Sequence, residues 1–125
     1  MYDLTRVTKN DLAIFLRGGY LNDAVKAKLQ RLVEIGAQLA EIDSKSGALD
    51  DEIEKIEDDQ KRLRENIEAL SKTPEAKVLI TRYVAKAGEQ ETRLEAIQKE
   101  QKELWERRIQ LLKEQASEIR NFNID

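Results

Sequence analysis

Residues 67–83 read IEALSKTPEAKVLITRY and contain the only proline of the chain. Charged segments with a heptad pattern lie on both sides of it. Pro74 cannot continue a preceding helix, and it pushes Thr73 out of helical geometry. Thr73 suits an N-cap, Pro74 suits the first helical position, and Glu75 suits the first turn of a new helix. The stretch is therefore a stop followed at once by a start. So short a connection predicts two neighbouring helices running antiparallel.

Upstream of the stop, one seam position reads Val25, Leu32, Leu39, Ser46, Ile53, Gln60 and Ile67. The other reads Lys28, Ile35, Ile42, Leu49, Ile56, Leu63 and Leu70. Eleven of these fourteen are apolar and they alternate in steps of three and four, the signature of a coiled-coil seam. Downstream, the seam reads Ile80, Tyr83, Ala87, Gln90, Leu94, Ile97, Gln101 and Leu104. Folding at Thr73 and pairing positions whose numbers add to 143 sets Leu63 on Ile80, Ile53 on Gln90, Leu49 on Leu94 and Ile42 on Gln101. No polar residue then faces another. The polar seam residues read as register devices. Beyond Leu104 the stripe is expected to shift to Trp105, Ile109, Leu112, Ala116 and Ile119 through a stutter. On this reading Trp105 fills the core, with an interface anchor as the competing role.

The first part of the chain is a lead-in, residues 1–7, and a short helix over residues 9–17. Thr8 reads as its N-cap, with Asp11 three residues on. Gly18–Gly19 ends it and forms a joint, and Asn22 caps the next helix. No Gly-Lys-Ser/Thr follows the glycines, so they do not read as a phosphate loop. Leu29 and Val33 widen the apolar face near the start of the long helix, which invites the short helix to fold back there. Phe122 is expected to close that base.

Composition agrees with long exposed helices. Of the 125 residues, 38% are charged, 40% hydrophobic and 5% aromatic. There is no cysteine, which removes disulfides, thiolate metal sites and cysteine nucleophiles. There is no histidine, which removes the commonest general base and metal ligand. No apolar run is long enough for a transmembrane span, and the N-terminus lacks the apolar core of a signal peptide, so a complete chain would be cytoplasmic. The carboxylates Asp50, Asp51, Glu52, Glu54, Glu57, Asp58 and Asp59 lie off the seam and lack the Glu-x-x-His pairing of a di-iron bundle. They read as a solvated acidic face, and no metal or cofactor is implied.

Charge is segregated along the chain. Residues 38–60 carry nine acidic and two basic side chains, net −7, whereas residues 61–86 carry seven basic and three acidic ones, net +4. Val78 and Leu79 add apolar character beyond what the seam needs. The turn region therefore reads either as a plain soluble tip or as a contact site for an acidic protein, RNA or an anionic surface. Arg62, Lys72, Lys77 and Arg82 are the residues to carry such a contact. A homodimer through Ala37, Ala40, Ala48 and Ala96 is a further expectation.

The order of pieces resembles a known arrangement. DLAIFLRGGYL (11–21), the long heptad helix, DQKRLRENIEAL (59–70) and, after the turn, RYVAKAGEQETRLEAI (82–97) resemble the C-terminal helical hairpin of bacterial domain-of-unknown-function proteins of the mucoidy-inhibitor-like type. The resemblance implies an arm of a larger, β-rich bacterial protein and brings no catalytic residues. The predicted fold is thus all-α: a long antiparallel coiled-coil helical hairpin with a short third helix packed at its base. Residues 1–22 are the lead-in and base helix, 23–71 the first hairpin helix and 74–120 the second, in one domain. The expected function is that of a non-enzymatic structural or protein-interaction module. Nucleic-acid binding through the basic tip is the alternative.

Overall fold

The heptad seam decides which residues of the long helices are hidden. In the computed structural model, which describes residues 4–17 and 23–122, the chain is all-α. Helix α1 spans Lys9–Arg17, α2 spans Asp23–Leu70 and α3 spans Lys77–Arg120, with short 3-10 turns at Leu4–Arg6 and Pro74–Ala76. The two long helices pack closely on each other. All fourteen seam positions of α2 are buried or half-buried, and the intervening outer positions are mostly exposed. The chain divides into two compact units, one of Met1–Lys45 with Leu104–Asp125, the other of Ser46–Glu103.

In the first unit, Thr8 and Asp11 form a reciprocal capping box. The Thr8 amide donates to Asp11 Oδ2 at 3.1 Å, and the Asp11 amide donates to Thr8 Oγ1 at 3.2 Å. Two orphan donors at the start of α1 are thereby satisfied. Val7 is buried with Val25, Leu29 and Val33, and Leu4, Leu12 and Phe122 pack against them. The wide face of α2 is therefore covered in large part by residues just before α1, which read as a mere lead-in from sequence. Ile14 of α1 stays 57% exposed. A second cluster joins Ile35 and Ile42 of α2 to Leu111 of α3, flanked by Leu39 and Leu104. The joint at Gly18–Gly19, the cap at Asn22 and the side chains of Phe15 and Leu16 lie outside the described residues.

The expected stutter does not occur. Trp105 is 61% exposed, while Leu111 is fully buried and Gln115 is only 7% exposed. The steps 104–108–111–115 simply continue the heptad. The pattern was hidden because two of these positions are polar. Arg108 is half-buried and its Nε donates to Asp43 Oδ1 at 3.1 Å, so the aliphatic stem can lie at the seam while the head reaches a carboxylate. Gln115 Nε2 reaches the Thr5 carbonyl at 3.5 Å. Trp105 is accordingly not a core filler.

The register also differs from the expected one. In the second unit the Gln90 amide donates to Asp59 Oδ2 at 2.6 Å, and Gln101 donates to Asp50 Oδ1 at 2.8 Å. In the first, Arg31 Nη2 donates to Glu114 Oε2 at 2.6 Å, and Arg107 Nη2 donates to Gln38 Oε1 at 2.9 Å. The numbers of such partners add to between 145 and 151, not to 143. A sum of 143 centres on position 71.5, whereas α2 stops at Leu70 and α3 starts at Lys77, with the 3-10 turn Pro74–Ala76 between them, and these two ends add to 147.

Candidate contact surface at the turn

The turn is built by backbone bonds that engage two of the last carbonyls of α2, those of Glu68 and Leu70. Ser71 donates twice to the end of the helix, its amide and its Oγ both bonding the Glu68 carbonyl, at 3.4 and 2.8 Å. The Thr73 amide donates to the Leu70 carbonyl at 2.9 Å, and the Ala76 amide to the Thr73 carbonyl at 3.0 Å. Thr73 has the extended backbone of an N-cap, with φ −108° and ψ 104°, and Pro74 follows it at the first position. Its hydroxyl makes no capping hydrogen bond, because the first turn is 3-10 and its donors are met by the backbone instead.

The sequence singled out Arg62, Lys72, Lys77 and Arg82. All four are exposed. Lys72 sits in the turn, Lys77 opens α3 and Arg82 lies little more than one turn further on. The charged ends of these three make no hydrogen bond or ion pair among the described residues. Arg62 is different. Its Nε donates to Asp59 Oδ1 at 2.9 Å, so its charge is already engaged on α2. The structure thus separates Arg62 from the other three.

Asp59, which sequence reasoning placed only in a general acidic face, is the junction of this region. It accepts from Arg62, from Gln90 Nε2 at 2.6 Å and from Lys86 Nζ at 3.3 Å. The hydrogen bond from Arg62, then that from Gln90, hold its carboxyl below the ordinary aspartate range. The i,i+3 spacing of Asp59 and Arg62 was a legible signal for part of this; the reach across to Lys86 and Gln90 was not. Gln90 Oε1 is buried and has no hydrogen-bond partner among the described residues.

Apolar side chains stand among the free cations. Val78 is 71% exposed, Leu79 39% and Val84 55%. Elsewhere in the second unit, Asp51, Glu54, Glu57 and Asp58 are exposed, as expected of a solvated acidic face. Among the described residues no group of three or more acidic side chains is placed to hold a metal ion, and no helix is long and apolar enough to cross a membrane. The four alanines of the expected dimer stripe are all exposed. No protein-family model matches the chain, and neither a curated protein nor a solved structure matches it.

Proposed function

We propose that the chain is a non-enzymatic interaction module that meets an acidic surface of a partner protein through Lys72, Lys77 and Arg82. In this reading α2 and α3 pair as an antiparallel coiled coil within each unit, and the second unit is a helical hairpin. Bonded partners support it, since their numbers rise on one helix as they fall on the other. They also recur in steps of seven: Arg31 with Glu114 and Gln38 with Arg107 in one unit, Glu52 with Arg93 and Asp59 with Lys86 in the other. The absence of His and Cys from the sequence speaks for a binding role over catalysis.

The observation that carries the contact site is the contrast between engaged and free cations. Arg62 and Lys86 are drawn onto Asp59, whereas Lys72, Lys77 and Arg82 remain unpaired around exposed Val78 and Leu79. A mixed cationic and apolar patch favours a protein partner over a bare polyanion, which would select charge alone. The test is capture from a lysate of the source cells by the intact chain and by a Lys72→Ala/Lys77→Ala/Arg82→Ala variant. A partner held by the first and lost by the second supports the site; equal capture removes it. Tight binding of a single-stranded RNA oligomer, lost in the variant and falling steeply with salt, would favour the nucleic-acid reading instead.

The resemblance to mucoidy-inhibitor-like proteins supports the further proposal that the module is an arm of a larger bacterial protein. An immunoblot of source cells against this chain tests it. A band near 14.4 kDa would overturn that part of the reading.

A further inference from the structure

Apart from Ile14 on α1, the large exposed apolar side chains described in the first unit lie in one line on α3. Trp105 is 61% exposed, Ile109 36% and Leu112 38%, and exposed Ala116 follows them. Their steps along α3 are four, three and four, which is itself a short heptad seam. It is separate from the seam that α3 already uses, where Leu104 and Leu111 pack with Ile35 and Ile42. An exposed Trp in an apolar stripe is the sort of feature that marks an interface.

We propose that this stripe pairs with the same stripe of a second copy of the chain, antiparallel and about a two-fold axis. Two observations select that occupant. The first is fit. When α3 is laid antiparallel on itself, Trp105 falls level with Ala116 of the other copy and Ile109 with its Leu112, so the largest side chain meets the smallest and the two middle-sized ones meet each other. The second is charge. Glu106 and Lys113 flank the stripe, each directly following a stripe residue. Both are exposed, and neither has an ion pair among the described residues. The same two-fold places Glu106 of each copy beside Lys113 of the other, so the ion pair forms twice. A self-complementary patch of this kind gives an isologous, closed dimer. The contact involves one helix face per copy, which is small for a specific interface, so the dimer should form and dissociate with concentration.

Trp105 is the only tryptophan, which makes the test direct. The full chain is followed over a wide concentration range by sedimentation velocity and by tryptophan emission. The expected result is a mass rising from 14.4 kDa toward twice that value, with the emission moving to the blue in step. Ile109→Glu should abolish both changes. Glu106→Lys and Lys113→Glu each replace two attractive contacts by two repulsive ones and should weaken the dimer about tenfold. An equimolar mixture of the two should regain it, because both attractive contacts reappear in the mixed dimer. A chain that stays monomeric with solvent-exposed emission at every concentration overturns the proposal. So does blue-shifted emission at monomer mass, which would mean that the chain covers its own stripe. A dimer indifferent to Ile109→Glu and to the charge variants would lie on another face and equally overturns it.

Discussion

Arg93 holds Glu52 by two parallel hydrogen bonds, from Nε to Oε2 at 2.5 Å and from Nη2 to Oε1 at 2.9 Å. The planar guanidinium matches the carboxylate, so the pair fixes the position of α3 against α2 as well as adding attraction. Glu100 also lies 3.6 Å from Arg93 Nη1. Because the fork needs a guanidinium, Arg93→Lys should lower the thermal midpoint nearly as much as Arg93→Ala. Circular dichroism melting of the two variants measures this. If lysine restores the full midpoint, charge alone suffices and the fork has no positioning role.

The same contacts set an acid limit. The Arg93 hydrogen bonds hold the Glu52 carboxyl below its ordinary value of 4.5, and Arg62 and Gln90 hold Asp59 below 3.8. Both carboxyls are depressed in the folded chain, so their contribution is fully present above the ordinary values and is lost as pH falls through the folded ones. The informative quantity is a difference between variants. Glu52→Gln should narrow its deficit to the parent chain as the solution is acidified. A deficit that stays constant from neutral pH down through the carboxylate range would show that the Glu52 charge contributes nothing.

Leu63 and Ile97 are fully buried, whereas Trp105 is 61% exposed. Leu63→Ala and Ile97→Ala should each cost about 2–4 kcal/mol, through lost apolar contact and residual cavity. Trp105→Ala, measured in dilute solution where any dimer is dissociated, should stay within about 0.5 kcal/mol of the parent. Urea unfolding separates the two classes. A loss of several kcal/mol at Trp105 would restore the core-filling role that the sequence pattern suggested.

Gln90 donates to Asp59 but leaves a buried carbonyl oxygen without a hydrogen-bond partner among the described residues. Gln90→Leu removes that unmet acceptor and adds apolar area to the seam. It also removes one bond to Asp59, which keeps Arg62 and Lys86. The expected outcome is a chain more stable by about 1 kcal/mol. If Gln90 specifies alignment, the variant should also give broader or doubled resonances for seam residues in NMR spectra, since a buried polar residue is a register device at a cost in stability. A less stable, singly folded variant would show that the bond to Asp59 outweighs the unmet oxygen.

Thr8 and Asp11 close the first turn of α1. Thr8→Ala should destabilise that end locally, by about 1 kcal/mol. Hydrogen exchange is the suitable readout: the Leu12 amide, which bonds the Thr8 carbonyl at 3.0 Å, should exchange faster, while amides around Leu63 should not change. Faster exchange throughout the chain would mean that α1 is coupled to the whole fold.

Much of the architecture was legible in residue order. The seam from Val25 to Leu70 follows from a period of 3.5 that only a packed helix uses, and each of its positions is at least half-buried. The stop before Pro74 follows from a missing N–H and a fixed φ, and the Thr8 cap from a hydroxyl and a carboxylate three residues apart. These are local chemistry, and neighbours along the chain determine them. Of the four cations singled out near the turn, the sequence could state sign and position but not which were free. That depended on Asp59, which binds Arg62 from its own helix and Lys86 from the other.

The tertiary structure alone decided what depends on distant partners. The phase of α3 beyond Leu104 runs through polar residues, half-buried Arg108 and buried Gln115, whose polar ends meet Asp43 and the Thr5 carbonyl, far away in the chain. A hydrophobicity pattern cannot register them, and so it misplaced Trp105. The partners of α3 on α2 add to 145–151 and not to 143, which the heptad pattern could not state because it marks a buried face and not the residue that face meets. Periodicity determines which face of a helix is buried. Which residue on the partner it meets is left to the length of the turn and to charged contacts such as Arg93 with Glu52.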